Sequence, residues 1–204
     1  MIERGPMRGA SKPPFEIVAI AASAGGLNAL TRILSTLPAT FDAGIVVVQH
    51  LDPRHRSLMA EIIGRRSSLP VRQAVAGSHI KAGHVYLAPP DRHLLINRDG
   101  SVSLTQTELV NFVRPSADLL FESVAASYGE RAIAVVLTGS GRDGSIGVTA
   151  IKQRGGTVIA QDEDTSEFFS MPSAAIRTGV VDFVLPLDEI STALLNLLGT
   201  VGSD

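Results

Sequence analysis

Short, nearly unbroken apolar runs rich in β-branched residues recur along this chain, and each is followed by a segment with helical spacing. Ile17-Val18-Ala19-Ile20-Ala21-Ala22, Ile45-Val46-Val47-Val48-Gln49 and Ile133-Ala134-Val135-Val136-Leu137 are the clearest of them. Such runs lack the polar alternation of a half-solvated strand, so they predict parallel strands covered on both faces. In an open α/β sheet, residues just past the carboxyl ends of the strands gather along one edge, where such folds bind and react. Ser23 and His50 directly follow the first two runs, and Asp143 follows the third after a glycine-bracketed turn.

The rest of the chain fits this frame. Leu27, Leu30, Ile33, Leu34 and Leu37 have helical spacing, and Pro38 ends that helix. Asp52-Pro53 reads as N-cap and first turn of a helix running to Arg65. Residues 77–106 break the alternation: three short extended runs are separated by Pro89-Pro90-Asp91 and by Arg98-Asp99-Gly100-Ser101. Asp-Gly between such runs predicts a hairpin. Helix and strand then alternate from Pro115 to a final amphipathic helix over 187–198. The expected fold is one α/β domain over 15–200, a doubly wound, mostly parallel, Rossmann-like three-layer sheet with an inserted antiparallel hairpin. Residues 1–14, rich in Arg, Gly, Ser and Pro, read as a flexible leader.

Composition narrows the chemistry. With no cysteine among 204 residues, disulfides, thiolate metal sites and a cysteine nucleophile are excluded. A formal net charge of -2 with scattered Lys and Arg leaves no footprint for nucleic acid. The start has no apolar signal core, and no stretch approaches the roughly 18 apolar residues of a membrane span. A cytoplasmic protein without membrane insertion is expected.

Each candidate residue has a plain structural role beside a catalytic one. Ser23, in Ala22-Ser23-Ala24-Gly25-Gly26, sits on a strand-to-helix turn and is either an exposed nucleophile or a helix N-cap. Its spacing matches neither dinucleotide nor P-loop patterns. His50 is either a base or a hydrogen-bonding strand end. Asp52 and His55 nearby suggest a metal, but a proline intervenes and no third ligand is apparent. His79, His84 and His93 read as surface or structural residues. Asp143, in Gly139-Ser140-Gly141-Arg142-Asp143-Gly144, is either a triad carboxylate or the N-cap of the next helix. A serine, a histidine and an aspartate are the parts of an acyl-transfer triad. Their chain order disfavours the common α/β-hydrolase arrangement.

Seven strings taken together resemble the catalytic domain of the CheB-type chemotaxis methylesterases. They are Ser23 to Gly26, Gln49-His50, Tyr86-Leu87-Ala88-Pro89 with His93, Arg114-Pro115-Ser116-Ala117-Asp118, Leu137-Thr138-Gly139 with Gly141, Asp143 and Gly144, Ala160-Gln161-Asp162-Glu163, and Met171-Pro172. The resemblance implies a serine hydrolase that removes methyl esters from glutamyl side chains of chemoreceptors or related sensor proteins, and that can also deamidate glutamines. It makes Ser23 the nucleophile and His50 the base, with Nε2 taking the proton from Ser23 Oγ at hydrogen-bond distance. Asp143 orients His50. Backbone N–H groups near His50 and Ser140 hold the oxyanion, and Ala24, Ser140 and Met171 line the substrate side. No metal or organic cofactor is implied.

Three positions depart from the family pattern: Ala24 replaces a frequent Thr, Ser140 a usual Met, and Leu51 to Arg56 the Met-Pro after the histidine. Only about 15 residues precede the first strand. The expectation is therefore a stand-alone unit, or the excerpted catalytic part of a longer protein, that works with a receiver domain, methyltransferase or sensor kinase in trans. Two other readings stand beside the enzyme: a peptide- or ligand-binding regulatory module that keeps the triad residues, and, ranked last, a nucleotide-binding domain.

Overall fold

The computed structural model describes residues 16–50 and 57–199. The expected leader, the start of the helix at Asp52-Pro53 and the segment Leu51 to Arg56 lie outside them. Among the described residues, a seven-stranded parallel sheet has the order β3 (Val71–Gln73), β4 (Val85–Leu87), β2 (Gly44–Gln49), β1 (Ile17–Ala22), β7 (Ala132–Val136), β8 (Thr157–Gln161), β9 (Phe183–Leu185). An antiparallel pair, β5 (His93–Ile96) and β6 (Val102–Thr105), stands apart from it.

The apolar runs do what two-faced burial requires. In β1, Val18, Ile20 and Ala22 face one core, while Ile17, Ala19 and Ala21 face the other. The first core is closed by α1 (Gly26–Thr36), α2 (Met59–Gly64) and α6 (Leu187–Leu197), through Leu30, Ile33, Leu34, Ile63, Ile190 and Leu194. The second is closed by α3 (Ala117–Tyr128), α4 (Ser145–Gln153), α5 (Ser170–Ile176) and the hairpin, through Leu120, Phe121, Val148, Met171, Leu94 and Ile96. The result is the expected three-layer, doubly wound α/β fold. No described helix is long and apolar enough to cross a membrane.

One part of the expected excursion belongs to the main sheet instead. Val85-Tyr86-Leu87 is fully buried and pairs in parallel with both β2 and β3, so among the described strands only the two that flank Asp99-Gly100 pair antiparallel. The strand order reverses at β1, which has β2 on one side and β7 on the other. Chains leaving neighbouring strands diverge there, opening the crevice in which α/β folds place their ligands.

Candidate active site

The three residues singled out by sequence stand around that switch point. Ser23 follows β1, His50 follows β2, and Asp143 lies on the turn between β7 and α4. Ladder-like bonds fix the first two: Ser23 N–H donates to Thr138 O at 3.0 Å, and His50 N–H to Ala22 O at 3.1 Å. His50 Nε2 lies 2.8 Å from Asp143 Oδ2, with the imidazole side chain 12% and the carboxylate 3% exposed.

Asp143 does not cap its own helix. The N-cap of α4 is Gly144, at φ 96°, with no side-chain cap bond. The carboxylate turns instead toward α3, accepting from Ala117 N–H at 2.6 Å, Asp118 N–H at 3.2 Å and the Ser116 hydroxyl at 2.9 Å. Asp118 returns the favour: its Oδ1 accepts from Ile146 and Gly147 N–H in the first turn of α4, at 3.0 and 2.8 Å. The two helices thus cap each other, each orphan N–H set meeting the other helix's carboxylate. Burial alone would raise the Asp143 pKa. The hydrogen bond with His50, the Ala117 N–H and the Ser116 hydroxyl outweigh it and hold the carboxyl below its usual range. Asp118 is pushed the other way, first by burial and then by the nearby Asp143 charge, against its N–H donors. The carboxyl facing His50 is therefore the one whose charged form its surroundings favour.

With Nε2–H donated to Asp143, Nδ1 is the imidazole nitrogen left to accept a proton. This reverses the expected assignment, in which Nε2 served the serine. No hydrogen bond joins Ser23 Oγ to His50, so the expected contact is not formed.

Ser23 is not a helix cap either. The N-cap of α1 is Gly25, left-handed at φ 76°, and no side-chain cap bond is present. Its backbone is tightly held: Gly26 N–H donates to Ser23 O at 2.8 Å and Gln49 Nε2 to the same oxygen at 2.7 Å. Ser23 opens on a cleft of about 670 Å3 shared with Gly25, Leu27, Met59, Ile62 and Arg65. Gly139 backs the turn closely, since a Cβ there would come within 2.3 Å of Met171 Sδ and 2.8 Å of Ser23 Cβ. Gly139→Ala should therefore cost about 1–3 kcal/mol through overpacking and displace Ser23. A thermal melt with a parallel esterase assay checks this. Loss of stability with full activity would mean that only Met171 yields.

Ser140, Ala24 and Met171 do not share one surface. Ser140 is exposed and lines a cavity of about 220 Å3 with His50, Asn111, Phe112, Arg142 and Asp143. Its N–H makes no hydrogen bond among the described residues, while Gly139 and Gly141 on either side are tied to Phe168 O and Ser170 Oγ. The His50 N–H, by contrast, is occupied by Ala22 O and is not a free oxyanion donor. Ala24 is half-buried and accepts from the Thr138 hydroxyl. Met171 is 1% exposed, packed beneath Gly139 in the second core rather than on the cleft surface.

Ser116 and Asp118 carry roles that sequence reasoning left unassigned, and His93, read as surface or structural, is structural. His93 is fully buried; Ser116 N–H donates to its Nδ1 at 3.1 Å, which leaves Nε2–H to donate to Glu108 O at 3.0 Å. That holds Ser116 under Asp143. Asp52 and His55, weighed as metal ligands, lie outside the described residues.

Fold and site together have the form of an α/β unit equipped for acyl transfer. The chain belongs to the CheB methylesterase family, whose model matches residues 18–194. It is 42% identical over 195 residues to the protein-glutamate methylesterase/protein-glutamine glutaminase of Moorella thermoacetica, covering 94% of this chain and 46% of that protein. A putative protein-glutamate methylesterase/protein-glutamine glutaminase of Leptospira interrogans is 41% identical, with 90% and 95% of the two chains covered. The crystal structure of the Thermotoga maritima CheB methylesterase catalytic domain superimposes with a TM-score of 0.86 at 40% identity, covering 90% of this chain and 98% of that one. The chain thus spans about half the length of the Moorella relative.

Proposed function

We propose that this chain is a serine hydrolase that cleaves methyl esters of glutamyl side chains on proteins, and that the same attack can deamidate glutamines. The observation that carries the reading is the 2.8 Å contact of His50 Nε2 with the buried Asp143 carboxyl at the switch point, where Ser23 follows the adjacent strand. The names borne by the Moorella and Leptospira relatives support the substrate class. Methylated chemoreceptors or sensor proteins are the proposed partners, and the unit that acts on them is 15–200. A receiver domain, methyltransferase or sensor kinase would act in trans.

Ser23 Oγ attacks the ester carbonyl as its proton passes to His50 Nδ1. Asp143 stabilises the resulting imidazolium through Nε2–H. The oxyanion meets the Ser140 N–H and the dipole at the head of α1. Collapse expels methanol, which takes the proton back from His50 and leaves a Ser23 acyl ester. Water, deprotonated by His50, hydrolyses that ester and regenerates the hydroxyl. With glutamine the leaving group is ammonia and the sequence is otherwise the same.

A fluorophosphonate probe tests this directly. Covalent labelling of Ser23, with methanol released from a methylated receptor fragment, is the expected result. An unlabelled serine with no methanol release would leave a binding module in its place.

A further inference from the structure

We infer that Phe112 is a docking residue for the protein substrate, its ring entering an apolar notch beside the ester-bearing glutamate; this rests on the hydrolase reading above. Phe112 is 94% exposed, more than any other large apolar side chain among the described residues. It forms the tip of a two-residue turn closed by reciprocal bonds, Val110 N–H to Val113 O at 3.2 Å and Val113 N–H to Val110 O at 3.0 Å. Both central residues are left-handed, Asn111 at φ 51° and Phe112 at φ 65°.

Such turns favour Asn followed by Gly, because only glycine takes the second position without strain. Asn111 conforms, whereas a bulky Phe stands where glycine belongs. Neither its conformation nor its exposure helps the fold. A residue that is unfavourable on both counts in the free protein gains if something covers it.

Its position names the occupant. Phe112 lines the same cavity as His50, Ser140 and Asp143. The turn is also tied into the frame of the site, because Asn111 Nδ2 donates to Asp118 Oδ2 at 2.9 Å, and Asp118 N–H donates to Asp143. A protein surface that delivers a glutamyl ester to His50 must therefore pass against this ring. A small ester need not.

The test compares the wild type with Phe112→Gly and Phe112→Tyr on two substrates, a methylated chemoreceptor cytoplasmic fragment and p-nitrophenyl acetate. Phe112→Gly should lower kcat/KM on the receptor fragment by at least ~10-fold more than on the small ester, the order expected for losing one buried Phe side chain. The loss should lie in KM, and Phe112→Tyr should restore it. The melting temperature of Phe112→Gly should stay level or rise, because the strain is relieved. Equal effects on both substrates would overturn the inference. So would an altered sedimentation coefficient with receptor kinetics intact, which would assign the ring to self-association. A wild type inert on both substrates overturns the hydrolase reading itself, a result distinct from either.

Discussion

Ser23→Ala should abolish methanol release and covalent labelling while the melting temperature moves by no more than a few degrees. The structure explains why the two readouts separate. The hydrogen bonds that Ser23 makes in this turn all use its backbone: its N–H to Thr138 O, and its carbonyl from Gly26 N–H and Gln49 Nε2. The hydroxyl makes no hydrogen bond among the described residues, and α1 is capped by Gly25 without a side chain. Alanine keeps every one of those contacts. A lost Ser cap would cost about 1 kcal/mol, but no cap is lost here. Losing the nucleophile of a working triad costs about 10⁶ in turnover. Activity assays and thermal melts on one preparation decide it: an active variant with a lowered melting point would return Ser23 to a structural role and sink the mechanism.

That test settles what the sequence left open, and the open points share a physical cause. Strand ends were legible because a run such as Ile45 to Val48 can only be buried, and the residue after it must emerge at one edge of the sheet. The Asp99-Gly100 hairpin was legible because its signal is local. The assignment of Val85 to Leu87 failed because sheet membership depends on partners 40 residues away, not on the run itself. The N-cap alternatives at Ser23 and Asp143 were local inferences too. Gly25 and Gly144, both with positive φ, take those positions and free the side chains for other partners. Which imidazole nitrogen meets Asp143 is decided wholly by tertiary geometry. So is the mutual capping of α3 and α4: Ser116-Ala117-Asp118 reads as an ordinary helix start, and nothing in it announces that its N–H groups serve a carboxylate 25 residues on.

That shared carboxylate makes the outcome at Asp143 differ from the outcome at Ser23. Asp143→Ala should lower turnover by about 10⁴, as for a triad histidine that loses its orienting carboxylate, and should also unfold far more easily. The substitution leaves Ala117 N–H, Asp118 N–H and the Ser116 hydroxyl without their acceptor in a buried place. Each buried, unsatisfied donor costs about 1–3 kcal/mol, so a loss of at least about 3 kcal/mol is expected. Asp143→Asn should be milder in stability and nearly as severe in rate. Its amide oxygen can still accept from Ser116 and Asp118, but its NH2 would face the His50 and Ala117 donors.

The pH dependence carries its own sign. The folded-state pKa of Asp143 lies below the unfolded one, so its stabilisation is complete above the ordinary carboxylate value of about 3.9. It is lost only as pH falls through the depressed value. Asp118, raised mainly by burial, takes up its proton earlier on the way down, and that uptake favours the folded state. Melts of wild type and Asp143→Ala between neutrality and strong acid should therefore show a stability gap that persists into mild acid and closes only below the ordinary carboxylate range. A gap already closed near pH 6 would mean that Asp143 is not held ionised, and the imidazolium would then lose the charge proposed to stabilise it.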